Sequence, residues 1–138
     1  MNVRHLAPRV GALVCFLTVI VAAAPFLLID GYADLIGAYY GAGPIGLTAI
    51  VLFTAVGGVA FASAERGNVD PVTMAGGLVA LGVVVLVGAV LWWFALDDTV
   101  LYSFPREYRW IEWHPSAVVV AAIGVAASAG VYARSVLE

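Results

Sequence analysis

The chain has 138 residues, of which 64% are apolar and 11% charged, with a net charge of −3. Ordinary soluble domains carry roughly 45–50% apolar and about 25% charged residues, so this composition excludes the soluble globular, disordered and disulfide-scaffold classes. All six basic residues are Arg, while Lys and Gln are absent. An acid excess without lysine suits a salt-rich setting, where a Debye length of roughly 3 Å leaves recognition to close contacts.

Charge-free apolar stretches run over 10–29, 44–64, 72–96 and 115–133. Each approaches the roughly 20 helical residues that cross a hydrocarbon core of about 30 Å. The runs are continuous rather than alternating, which argues against strands. The expected fold is therefore all-α: an integral membrane four-helix bundle forming one domain over 1–138.

The first span resembles a secretory signal, with Arg4 and Arg9 ahead of the apolar core and Ala22-Ala23-Ala24 as a cleavage-like triplet. Pro25 would follow the cut, where its imide is a poor substrate, so the segment reads as a retained span kinked near its far end. Cys15 lies within this span and, as the single cysteine, excludes an intrachain disulfide and thiol-exchange chemistry. By subtraction, loops occupy 30–43 and 97–114. Gly67, Asn68, Asp70 and Pro71 make a tight turn between the second and third spans. Pro44 and Pro115 suit the first turns of the helices that follow them.

With the N-terminus inside, Arg4, Arg9, Arg66 and Arg134 lie on the cytoplasmic side and only Arg106 and Arg109 outside, which predicts both termini in the cytoplasm. Aromatic residues gather at the opposite boundary: Tyr32, Tyr39, Tyr40, Trp92, Trp93, Phe94, Tyr102, Phe104, Tyr108, Trp110 and Trp113. An interfacial aromatic belt is the expectation.

No span contains Asp, Glu, Lys, Arg, His, Asn or Gln. Proton relays and ion-coupled transport use ionisable groups at membrane depth. The small multidrug exporters match this chain in size, yet their first-span carboxylate has no counterpart. His5 and His114 are the only histidines and fall on opposite sides, so they cannot both ligate one haem, and no zinc-type ligand cluster accompanies either. Neither a basic stripe for nucleic acid nor a phosphate loop is present, because the glycine-rich 41–46 is not followed by Lys. Catalytic, metal and cofactor residues are accordingly assigned to none.

The stretch Tyr39-Tyr40-Gly41-Ala42-Gly43-Pro44-Ile45-Gly46, with the four-span plan, resembles small membrane proteins of halophilic archaea that form a family of unknown function. The resemblance implies a four-span architecture and no particular activity.

In lipid, helices associate through close backbone approach rather than apolar transfer, which favours small residues four apart. Thr54 and Gly58 (with Ala62) in the second span, Gly76, Ala80 and Gly88 in the third, and Ala122, Ala126 and Gly130 in the fourth are the candidate packing residues. The segment 97–114 mixes charge with aromatics. If Pro105 starts a short helix there, Arg109 sits beside Glu112 and Trp110 beside Trp113, giving a candidate outer interaction surface.

The leading functional expectation is a non-enzymatic membrane protein acting by assembly. It would be an accessory or scaffold subunit whose partners are the lipid bilayer and either another membrane protein or a second copy. The alternative is a small oligomeric channel or transporter. A third reading, an enzyme at the outer interface, would require Asp97, Asp98, Glu112 and His114 to converge.

Overall fold

In the computed structural model, residues 3–67 and 69–137 are described, with side chains from Leu6 onward. The side chains of Arg4 and His5, and all of Asn68 and Glu138, lie outside the described residues. Helix α1 covers Val3–Leu28, α2 Ala33–Gly41, α3 Gly46–Arg66, α4 Pro71–Ala95, α5 Asp98–Tyr102 and α6 His114–Leu137, and a 3-10 helix covers Arg106–Glu112. No strand occurs among the described residues. Four helices, α1, α3, α4 and α6, are long and apolar enough to cross a membrane.

These four form a ring in which α3 and α6 each pack against both α1 and α4. The chain therefore runs up and down, as short connections between antiparallel neighbours require. One end of the bundle holds the start of α1, the α3–α4 turn and the end of α6. The other is capped by α2, α5 and the 3-10 helix. The loops expected over 30–43 and 97–114 are thus largely helical. Their short helices were not visible as apolar periodicity because they pack on one another and on the ends of α3 and α6 rather than through an apolar stripe of their own.

Local chemistry explains the boundaries. Gly67 closes α3 in the left-handed conformation (φ 75°), its N–H reaching the Ala64 carbonyl. Asp70 then caps α4, accepting from the Thr73 N–H at 3.1 Å and its hydroxyl at 2.8 Å. Those two bonds hold the Asp70 carboxyl below its usual range. Pro71 occupies the first turn. Helix α3 starts at Gly46 rather than Pro44. Gly46 has φ 79°, and a Cβ there would lie 2.9 Å from the Tyr40 carbonyl oxygen, so only glycine fits.

The interior is filled by Leu47, Ile50, Phe61, Leu78, Val85, Val118 and Val125, all buried. The hydroxyls of Thr18, Thr54 and Ser128 bond to carbonyls one turn back in their own helices, and Thr18 also reaches the Ala121 carbonyl of α6 at 3.5 Å. At the open end of the ring Arg9 and Glu65 pair at 2.6 Å, an exposed contact of small energetic weight.

Thr54 is buried, and a Cβ on Gly58 would stand 3.4 Å from the Cys15 Cβ, so both lie along the α1–α3 contact. Ala122 is buried, and Ala126 faces Gly82 of α4, where a Cβ would meet the Ala126 Cα at 3.0 Å. Gly130 departs from the expected stripe: it is exposed, and a Cβ there would meet nothing within 4 Å. Residues four apart advance by about 400° at 3.6 residues per turn, so each step drifts roughly 40° around the helix. Ala129 takes the packed position instead. The same drift leaves Gly76 and Ala80 exposed while Ala75, Leu78, Gly82, Val85 and Ala89 form the buried row of α4.

Gly82→Leu should therefore lower the thermal stability of the detergent-solubilised protein, by roughly 1–3 kcal/mol as in overpacked cores. Gly130→Leu should be tolerated within about 0.5 kcal/mol. Equal melting curves for the two variants would contradict this packing.

Candidate functional site: a polar knot beneath the cap

Pro25 interrupts α1 near the cap. A proline has no N–H to donate to the carbonyl four residues back, so the Val21 oxygen loses its helical partner. In an apolar segment such a carbonyl costs several kcal/mol unless another donor reaches it. His114, the first residue of α6, supplies that donor: its Nε2 lies 2.6 Å from the Val21 oxygen. A carbonyl only accepts, so Nε2 carries the proton and Nδ1 of the neutral ring is left as an acceptor. The Tyr39 hydroxyl donates to Nδ1 at 2.5 Å.

The next carbonyl of α1 is treated in the same way. The Tyr40 hydroxyl donates to the Ala22 oxygen at 2.6 Å and accepts from the Phe26 N–H at 3.2 Å, bridging the turn that contains Pro25. Tyr39 and Tyr40, adjacent near the end of α2, thus tie that helix to α6 and α1. Trp92 adds α4, donating from Nε1 to the Tyr39 carbonyl at 2.8 Å. That carbonyl belongs to the last turn of α2 and has no intrahelical partner. Phe104 and Trp92 pack edge-on to the Tyr39 ring, with centroids 6.4 and 5.1 Å away, and Trp110 stands edge-on to His114 at 6.3 Å.

The aromatic residues therefore split rather than forming one belt. Tyr39, Trp92 and Phe104 are buried, and Tyr40, Tyr108 and Trp110 partly so. Trp93, Phe94, Tyr102 and Trp113 face outward, Phe94 at 80% and Trp113 at 76% exposure. The sequence pattern places Tyr39, Tyr40 and Trp92 at the interface and gives His114 no metal or haem partner. The signal for the knot was the pairing of a mid-helix proline with a histidine at a helix start.

The 3-10 helix sorts the remaining residues. Side chains three apart nearly eclipse in this geometry, and Tyr108, with φ −107° and ψ 25°, breaks the segment into two turns. Tyr108, Ile111 and His114 form the inward row. Trp110 and Trp113 border an apolar groove of about 340 Å³ between α1 and α6, with Val21 and Leu28 on its wall. Arg106, Arg109 and Glu112 share a separate polar pocket of about 120 Å³ with Tyr102 and Tyr108. The expected surface of Arg109, Trp110, Glu112 and Trp113 is thus divided between two faces of one short helix.

The four residues of the enzymatic reading do not converge. Asp97 accepts from the Thr99 N–H at 3.0 Å as the cap of α5, Asp98 is exposed, Glu112 lines the arginine pocket, and both ring nitrogens of His114 are engaged. Among the described residues no group of three or more His, Cys, Asp or Glu is placed to hold a metal.

A family model described as a family of unknown function, DUF7548, matches residues 1–137. The chain belongs to the DUF7548 family. No curated protein and no solved structure matches it. In this DUF7548 member, then, the chemistry of the knot must be read from its own geometry. Every buried side-chain polar atom among the described residues has a partner. The knot is a closed hydrogen-bond network linking α1, α2, α4 and α6.

Burial raises the phenol of Tyr39 above its ordinary range and pushes that of Tyr40 up to about 12, the Phe26 N–H bond opposing in part. A folded value above the unfolded one, near 10, means the contribution is intact below pH ~10 and is lost as pH rises towards about 12. The melting temperature should hold steady from neutral pH to about 10 and then fall. Tyr40→Phe should cost roughly 1–3 kcal/mol at neutral pH by stripping Ala22 and Phe26 of their bridge, and should flatten the alkaline fall. An unchanged alkaline profile in Tyr40→Phe would assign the fall to other groups.

Proposed function

We propose that this chain is a multi-pass protein of the cell membrane that acts by assembly, as an accessory or scaffold subunit whose cap meets a membrane partner. The observation that carries the reading is the division of the cap. Its histidine and two tyrosines spend their hydrogen-bonding groups on holding the bundle, whereas Arg109, Glu112 and Trp113 are turned away from that network. A scaffold needs a rigid interior and a presented surface, and it needs no reacting group. Both termini lie in the cytoplasm in this reading, because four of six arginines sit at the terminal end of the sequence pattern. The outward aromatics then stand at the outer boundary, and the lysine-free, acid-rich composition fits a halophilic archaeal setting.

The alternative, a small channel or transporter, has less support. The centre of the bundle is occupied by Val85, Val118, Ala122 and Val125, so a pore would have to form between copies.

A photoreactive residue at position 113 tests the assembly reading. In native membranes it should give one discrete protein adduct, and Arg109→Glu should diminish that adduct without altering helix content. Lipid adducts alone, or a protein adduct indifferent to Arg109→Glu, would overturn it.

A further inference from the structure

The polar pocket on the cap has a composition that neither the knot nor the bundle explains. Six acids lie in the cap segments, Asp30, Asp34, Asp97, Asp98, Glu107 and Glu112, against only two cations, Arg106 and Arg109. Both cations line the same cavity of about 120 Å³. Surrounded by this acid excess, neither forms an ion pair or a side-chain hydrogen bond among the described residues. Glu112 shares the cavity wall, yet it is not paired with either.

Arg106 and Arg109 lie on either side of the break at Tyr108 and line one cavity with no carboxylate paired to either, and like charges sharing a cavity repel. An anion seated between them turns that repulsion into two attractions. The guanidinium fork matches a phosphate or carboxylate through paired N–H groups, which a lysine cannot do. The remaining wall consists of Leu101, Tyr102, Phe104, Pro105 and Tyr108, none of which carries a charge, and both arginines are exposed to an arriving ligand. Because the rest of the cap is acidic, attraction is local to this cavity and a diffuse basic patch is not its cause.

We propose that Arg106 and Arg109 form a binding site for one phosphate group at the cap. Glu112, the carboxylate in the same wall, faces a hydroxyl carried by the ligand. The phosphate has two sources, an anionic lipid headgroup or a free phosphate. The pocket adjoins the start of the last apolar helix and the outward Trp113, which is the depth of headgroups if that helix spans a membrane. Only the lipid source rests on the membrane reading; the phosphate site itself does not.

The experiment uses the full chain, delipidated in a non-ionic detergent. Native mass spectrometry with added phosphatidylglycerol or phosphatidylcholine reads the lipid source, and calorimetry with inorganic phosphate reads the free one. Wild type should retain one phosphatidylglycerol in preference to phosphatidylcholine, and Arg106→Gln and Arg109→Gln should each weaken that retention roughly tenfold. Arg66→Gln, an exposed arginine at the opposite end, should leave it unchanged. Arg109→Lys keeps the charge but loses the fork and should fall between wild type and Arg109→Gln. Inorganic phosphate binding that both Gln variants abolish, without lipid preference, would keep the site and assign it the free source. Lipid retention that ignores both Gln variants, or no binding in either arm, would overturn the site. Circular dichroism of each variant separates lost binding from lost folding.

Discussion

The fold depends on one missing hydrogen. Pro25 has no N–H, so the Val21 carbonyl faces an apolar surrounding without its helical partner. His114 answers from the other end of the sequence at 2.6 Å, and the tyrosine pair of α2 is then placed by what His114 and the opened turn of α1 still need. Helix–helix association in lipid has no apolar driving force, so hydrogen bonds of this kind and close backbone contacts hold the parts together. The Gly82–Ala126 approach performs the second task between α4 and α6.

A consequence is that α2, only Ala33–Gly41, fixes the ends of three long helices at once. Tyr39 reaches α6 by its hydroxyl and α4 by its carbonyl, and Tyr40 reaches α1. This concentration of polar contacts leaves the 3-10 helix to hold the outer residues. Its period of three separates the tryptophan groove from the arginine pocket, so one short segment presents two chemically distinct faces. The knot and the cap surface share walls: Phe104, packed on Tyr39, also lines the arginine pocket, and His114 borders the tryptophan groove.

The four long helices were legible because continuous apolar runs of spanning length have no competing reading, and turn chemistry at Gly67 to Pro71 fixed one connection. The short helices of the cap were not. Residues 33–41 carry no strong apolar stripe, and their helix exists because Tyr39 has partners 53 and 75 residues away and Tyr40 has partners 14 and 18 residues back on α1. More locally, Pro25 was read as a kink, but nothing in the sequence order linked it to His114. Of the four-residue small stripes, Gly130, Gly76 and Ala80 lie exposed because the spacing of four overshoots the turn of a straight helix. Ala122 and Ala126 lie where one step of drift still leaves the residue on the inner side of α6.

The most direct test of this account is a thermodynamic cycle between positions 25 and 114. Pro25→Ala restores an N–H to the Val21 carbonyl, so the two substitutions act on the same oxygen. In the wild-type background His114→Ala should cost roughly 2–4 kcal/mol, the scale of a buried carbonyl and a buried hydroxyl both left without partners. In the Pro25→Ala background the Val21 oxygen has its own helical donor, and the cost of His114→Ala should fall by about 1 kcal/mol or more. Additivity within about 0.5 kcal/mol would contradict the account, since it would mean that His114 and the proline break are energetically independent.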